Sequence, residues 1–287
     1  MSSGRGDPAS PFDRPTSARA YGWMLGGQDV YPVDQNILLY VLGRFPECVD
    51  IARQNRLFLY RAIRYLVREA GITQFLDMGC GLPTDNNVHQ VAQRFNPDAH
   101  VVYVDIDPIV LAHGRALLAG HGPTTTVVTA DMRIPEMVLA DPDVGALIDF
   151  TEPVAVLFLS VGHHLKDVDE VGLGARHAVR HIIDTVAVPG SHLAFSQVVS
   201  DDPELGAVFA ASIDGAGIPW QNRSPAEVDA FFDGLDPIAP GLVNLADWHP
   251  DPSQPPLEPV PEQLRRFVGA TEHHSIVYEY GGILRKP

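Results

Sequence analysis

Three short apolar runs in this chain each end in an aspartate: ITQFLD at 72–77, HVVYVD at 100–105 and TTVVTAD at 125–131. Between them lie NNVHQVAQRF (86–95), behind a Pro83–Thr84–Asp85 start signal, and a segment opened by Pro108 that runs through Leu118, both with helical spacing. Brief continuous apolar runs alternating with helices are the pattern of strands buried on both faces of a mostly parallel sheet. The alternation continues through PVAVLFLSV (153–161), a helix near 169–187 and SHLAFSQVV (191–199). GLVNLADW and HHSIVYEYGGILRK are two further strand candidates, preceded by a helix SPAEVDAFFDGL, and the Pro-rich run 249–261 reads as a surface loop. Upstream, 34–45 and 47–70 have helical periodicity, and Gly71 closes the second of them. The chain therefore divides into a disordered N-terminus (1–15), a helical cap or lid (16–70) and an α/β core (71–287).

The first aspartate is followed by a turn, Asp77-Met-Gly79-Cys-Gly81-Leu-Pro83-Thr84. Glycines there let a ligand approach the main chain. A dinucleotide pyrophosphate also needs a small third glycine before the next helix, and Thr84 stands in that place. The turn suits a nucleoside without phosphates, with S-adenosylmethionine the first candidate, and disfavours a nucleotide-dependent oxidoreductase. Asp105, 24 residues beyond Gly81, stands where an acid accepts ribose hydroxyls. Its neighbour Asp107 precedes Pro108 and reads as a helix N-cap. Asp131 is either a turn aspartate or an acceptor for the adenine amino group.

Charge narrows the partners. Twenty basic against 36 acidic residues give a net charge of −16, which repels nucleic acid and anionic membrane and favours small-molecule or protein partners. Cys48 and Cys80 make no disulfide framework, the N-terminal stretch has no apolar signal core, and no run is long enough to span a bilayer. A cytoplasmic setting is expected, as a monomer or homodimer.

The sequence resembles the class I S-adenosylmethionine-dependent methyltransferases through Asp77-Met-Gly79-Cys-Gly81 and Val104-Asp105-Ile106-Asp107. More narrowly it resembles the S-adenosyl methyltransferase family once called domain of unknown function 574. The matching segments are 14–35, 75–118 and the terminal GGILRKP. The resemblance implies a doubly wound, Rossmann-like seven-stranded sheet with an antiparallel last strand, S-adenosylmethionine as cofactor and S-adenosylhomocysteine as product. A family Leu-His pair after the fourth strand reads Gly162-His163 here, followed by His164, and a fifth-strand Ser-His reads Ser196-Gln197.

Expected cofactor contacts are Asp77, Gly79 and Gly81 around the methionine end, Asp105 at the ribose, Asp131 and Met132 at the adenine, and Pro83, Ile106 and Ser160 as further contacts. The cofactor carboxylate needs a cation or several donors. The core motifs offer no cation, so Arg19 is the candidate, with Tyr21 supplying a hydroxyl and Gly26–Gly27 a close approach or hinge. His163 is the candidate general base, although alignment alone supplies most of the rate in many methyl transfers. No metal is expected: His177 and His181 share a helix face, but HAVRH lacks the glutamate of H-E-x-x-H. Trp220 and Trp248 are core residues by default, with an apolar acceptor pocket as their alternative. A non-catalytic module that binds or senses S-adenosylmethionine would have the same sequence features.

Overall fold

The acid-tipped runs form the middle of one sheet. The computed structural model describes residues 13–84, 86–118, 123–168 and 174–287. The helices are α1 Ser17–Met24, α2 Pro32–Leu42, α3 Cys48–Arg68, α4 Val88–Phe95, α5 Pro108–Leu118, α6 Pro135–Ala140, α7 Pro142–Leu147, α8 Ala175–Thr185, α9 Pro203–Asp214 and α10 Pro225–Asp229. The strands are β1 Gln74–Met78, β2 His100–Asp105, β3 Thr125–Thr129, β4 Ala155–Phe158, β5 His192–Val199, β6 Asp236–Pro237, β7 Val243–Asn244 and β8 Tyr278–Arg285.

Strand order is β3-β2-β1-β4-β5-β8-β6, with β7 also paired to β8. β1 to β5 are mutually parallel, and β8 runs antiparallel to β5 over its full length. The order reverses between β1 and β4, so the crevice of a doubly wound sheet opens at their carboxyl ends. Seven strands were expected and eight are present among the described residues. The GLVNLADW segment supplies only the two-residue β7 before a 3-10 turn, and a second two-residue strand, β6, carries a proline that an edge position tolerates.

Side chains alternate across the strands into two cores. Leu76, Met78, Val102, Val104, Val156 and Phe158 pack with α6, α7, α8 and α10. Phe75, Val101, Tyr103, Ala155 and Leu157 pack with α3, α4 and α5. Trp248 is fully buried in this second core, edge-on to Phe58. A third cluster joins α1, α2, the start of α3, and α9.

The helix termini follow local chemistry. α3 ends with Ile72 N–H bonded to Leu66 C=O and Gly71 at φ +71°, the left-handed closure expected of that glycine. α4 begins later than the sequence signal implies, because Asn87 and Gln90 form a capping box. Asp85 of that signal lies outside the described residues. So do residues 1–12 of the proposed disordered tail and 169–173 at the start of the expected 169–187 helix. Helix α9 was not anticipated, although Asp202 caps it and Pro203 opens it. Among the described residues no helix is long and apolar enough to cross a membrane.

Candidate functional site

A cleft of about 430 Å³ opens at the carboxyl ends of β1, β2 and β4. Gly79 and Gly81, at φ +76° and +66°, form its floor, with Asp105 and Ile106 on one wall and Ser160 and Val161 on another. Only glycine fits comfortably at position 79: a Cβ there would lie 2.9 Å from Met132 Sδ and 3.0 Å from Val161 Cγ1. Ile106 is 60% exposed at the rim, a large apolar surface without a partner.

Asp105 links the cleft to the backbone. Its carboxylate accepts from Gly81 N–H and Asp107 N–H, both at 2.9 Å. Burial pushes this carboxyl up, and the N–H groups of Asp107, Gly81 and Ile106 pull it back. Asp107 instead accepts from Ile109 N–H at 2.8 Å, the capping geometry anticipated for it. Asp131 lines the cleft, but Arg133 clasps both its oxygens and the Arg133 N–H bonds to it as well. Burial works to raise the Asp131 carboxyl; the Arg133 bonds outweigh it and hold the carboxyl below its usual range.

Several residues expected at the cofactor lie elsewhere. Arg19 is 1% exposed and its guanidinium binds Asp34 at 2.8 and 3.0 Å and the Arg14 carbonyl. Asp34 also accepts from Thr16 N–H and Tyr31 N–H, so this buried pair fastens α1 to α2 and does not face the cleft. Gly27 packs on the Gly22 carbonyl, where its N–H donates at 2.9 Å; it closes α1 and does not line the cleft. Asp77 is buried beneath the glycine turn. Burial raises its carboxyl to about 7, against the lowering pull of Arg56. Pro83 borders a separate small pocket behind the turn. Cys80 is a thiol in contact with Asp105, its ionisation suppressed first by burial and then by the acids around it.

Beside the cleft lies a second cavity of about 100 Å³, bounded by α1, α2, α3 and α9. Ser17, Tyr21, Ser160 and Ile218 line both and form the neck between them. Ser160 holds φ +57°, a strained conformation for serine, with its N–H donating to Ser196 Oγ at 2.7 Å. Tyr21 donates to the Ala52 carbonyl and accepts from Asn55, and burial raises its hydroxyl to about 12. Behind the neck, Glu279 is buried with neither carboxyl oxygen in a hydrogen bond of normal geometry. Burial raises Glu279 to about 8, tempered by the hydroxyls of Ser196 and Ser160, so it is mostly protonated at neutral pH.

The two histidines are fixed as different neutral tautomers. Val198 N–H donates to His163 Nδ1 at 3.0 Å, so the His163 proton sits on Nε2. Burial, with His164 and Arg223 nearby, holds His163 well below its usual range. With Nδ1 occupied and protonation suppressed, His163 is suited to donate a hydrogen bond and poorly suited to the general-base role. His164 reverses the arrangement. Its Nδ1–H donates to the Pro219 carbonyl at 2.8 Å, leaving Nε2 to accept from Ser17 at 2.7 Å. The Ser17–His164 pair at the neck, of which the sequence marks His164 beside His163 but not Ser17, is where a proton could be taken from a neutral nucleophile. Trp220 stacks on His163 with ring centroids 3.9 Å apart and lines the smaller cavity.

His177 and His181 share one face of α8, and α6 brings Glu136 Oε1 to 2.9 Å from His177 Nε2 and 3.5 Å from His181 Nδ1. The third group that the HAVRH spacing lacked thus comes from another helix, within reach of a shared ion.

Residues 9–287 match the model of a family described as S-adenosyl methyltransferase. No curated relative matches the sequence. A domain-of-unknown-function-574 protein from Streptomyces avermitilis MA-4680 is 33% identical, aligns over 96% of this chain and 99% of its own, and has a TM-score of 0.80. A candidate methyltransferase from Thermobifida fusca YX is 38% identical over 99% of both chains, with a TM-score of 0.77. A geranyl diphosphate methyltransferase solved in complex with SAM shares the fold at 12% identity, over 96% of each chain, with a TM-score of 0.51.

Proposed function

This chain belongs to the S-adenosyl methyltransferase family, and we propose that it transfers the methyl group of S-adenosylmethionine to a small molecule held in the cavity beside the cleft. The observation that carries this reading is the neck: Ser17, Tyr21, Ser160 and Ile218 line both the cleft that suits the cofactor and a second, apolar cavity beside it. A module that only sensed the cofactor would have no use for that second space. The −16 charge disfavours a nucleic-acid acceptor.

In this arrangement Asp105 accepts the ribose hydroxyls, and Ile106 and Met132 flank the adenine. Gly79 and Gly81 let the methionine portion lie against the main chain, while Asp77 holds the turn from below. Asp131, engaged by Arg133, shapes the adenine end in place of binding the amino group alone. S-adenosylmethionine would supply an activated methyl group at the Ser160 end of the cleft, with S-adenosylhomocysteine as the other product. Ser17 and His164 Nε2 would take the proton that a neutral acceptor gives up. The segment 16–70 acts as the wall that holds acceptor and cofactor together, which is how alignment lowers the barrier.

Calorimetry with S-adenosylhomocysteine tests the assignment. Asp105→Ala should weaken binding by about 1.5–3 kcal/mol per lost charged hydrogen bond. Asp107→Ala should cost about 1 kcal/mol of stability through its lost cap, with affinity nearly unchanged. Equal affinities for wild type and a folded Asp105→Ala, or the reverse ordering, would reject the assignment.

A further inference from the structure

The walls of the second cavity carry information about the acceptor, given the methyl-transfer reading above. Met24 from α1, Leu38 and Val41 from α2, Ile51 from α3, and Phe209 and Ile213 from α9 belong to a lining that is mostly apolar. Among the described residues no Asp, Glu, Lys or Arg lines it. Its polar groups are neutral or already engaged. The Tyr21 hydroxyl is satisfied by Ala52 and Asn55. The Cys48 thiol is kept protonated, first by burial and then by nearby Glu47. His163 is an uncharged ring bearing a single N–H donor on Nε2.

A charged group placed among these side chains would lose its hydration without gaining a counter-ion, a cost of several kcal/mol. A sugar or nucleoside would leave most of its hydroxyls unpaired for the same reason. Size limits the occupant as well: in other proteins an apolar cavity of about 150 Å³ holds a benzene ring, and this space of about 100 Å³ takes a ring only if its polar end reaches into the neck. Ser17 and Ser160 place polar atoms at the end shared with the cleft, and His163 and the unpartnered Trp220 Nε1–H add two neutral donors to the lining. That end is also where a nucleophile must sit to reach the methyl group.

We propose that the methyl acceptor is a compact, uncharged, largely hydrocarbon molecule, about one ring in size, with a single neutral polar group directed at the neck. The hydrocarbon body fills the space between α2 and α9. The polar group meets the Ser17 oxygen and the His163 Nε2–H. Helix α9, absent from the sequence-level reading, is therefore a determinant of acceptor choice.

The test is calorimetry on the full chain saturated with S-adenosylhomocysteine, titrated with 4-methylphenol, 4-hydroxybenzoate and 4-hydroxybenzylamine. The three probes share a phenol ring and differ in carrying no charge, a negative charge or a positive charge. The proposal expects 4-methylphenol to bind at least about tenfold tighter than either charged probe. Ala20→Leu adds bulk to the cavity from α1 at a residue that does not line the cleft. It should abolish 4-methylphenol binding and leave S-adenosylhomocysteine affinity within about threefold. Either charged probe binding as tightly as 4-methylphenol, or none of the three binding to the cofactor-loaded wild type, overturns the proposal. Absence of S-adenosylhomocysteine binding itself would be a separate failure, of the cofactor assignment, and would remove this inference with it.

Discussion

The cleft and the cavity beside it are neighbours built by opposite means. The cleft is made at three consecutive strand ends, where main-chain geometry dominates: two left-handed glycines, a carboxylate braced by N–H groups, and a turn that excludes side chains. The cavity is made by side chains from helices far apart in sequence, with no backbone motif in its lining. The first construction fixes which cofactor fits and tolerates little change. The second depends on volume and shape, so on the proposed reading the acceptor can change by substitution at α2 or α9, neither of which lines the cleft. On the proposed reading, one fold keeps cofactor recognition and acceptor recognition on different elements.

Arg19 gives the largest expected departure from this division. Its ion pair with Asp34 is buried on both sides and fastens the wall that the two spaces share. Breaking a buried pair by removing one partner costs about 3–5 kcal/mol. Arg19→Ala should therefore lower the urea midpoint strongly, with cofactor affinity falling only as the wall loosens. Weakened S-adenosylhomocysteine binding at unchanged stability would instead return Arg19 to the ligand-contact role expected from sequence.

How far each half can be read from sequence follows from the same contrast. The parallel core and its acids are legible because each strand and its ligand-facing end are contiguous: FLDMGCG contains β1, the turn and both glycines. Asp105 and Asp107 could be told apart because a cap is a local relation. Arg19 misled because a cation beside aromatic and glycine residues looks free in sequence, while its partner Asp34 lies a helix away. The cavity was illegible for a related reason. Phe209 and Val41 become neighbours of one space only after α2 and α9 dock. The start of α9 could have been found from the Asp202–Pro203 cap. Glu279 carries no local signal at all; only its burial behind Ser196 and Ser160 marks it.

Glu279 yields a smaller, pH-dependent effect that sharpens the comparison from the cavity side. Its folded carboxyl lies at about 8, well above the unfolded range near 4.3, so the contribution it makes is fully present below the unfolded value. That contribution is lost as pH rises through about 8, because the unfolded chain releases the proton first. Glu279→Gln keeps the shape of the protonated acid without the titration. Its melting temperature relative to wild type should climb between about pH 4.5 and pH 8, with about 1.4 kcal/mol per displaced pH unit as the upper bound. A difference independent of pH in thermal melts across that range would mean the Glu279 carboxyl is hydrated and ordinary.

The division of labour rests on the cleft being a nucleoside site without a pyrophosphate, and thermal stability under ligand tests that most directly. S-adenosylhomocysteine at one hundred times its dissociation constant should stabilise the wild-type chain by about 2.7 kcal/mol, and NAD at the same concentration should leave the melting temperature unchanged. Stabilisation by NAD with no response to S-adenosylhomocysteine would contradict the account.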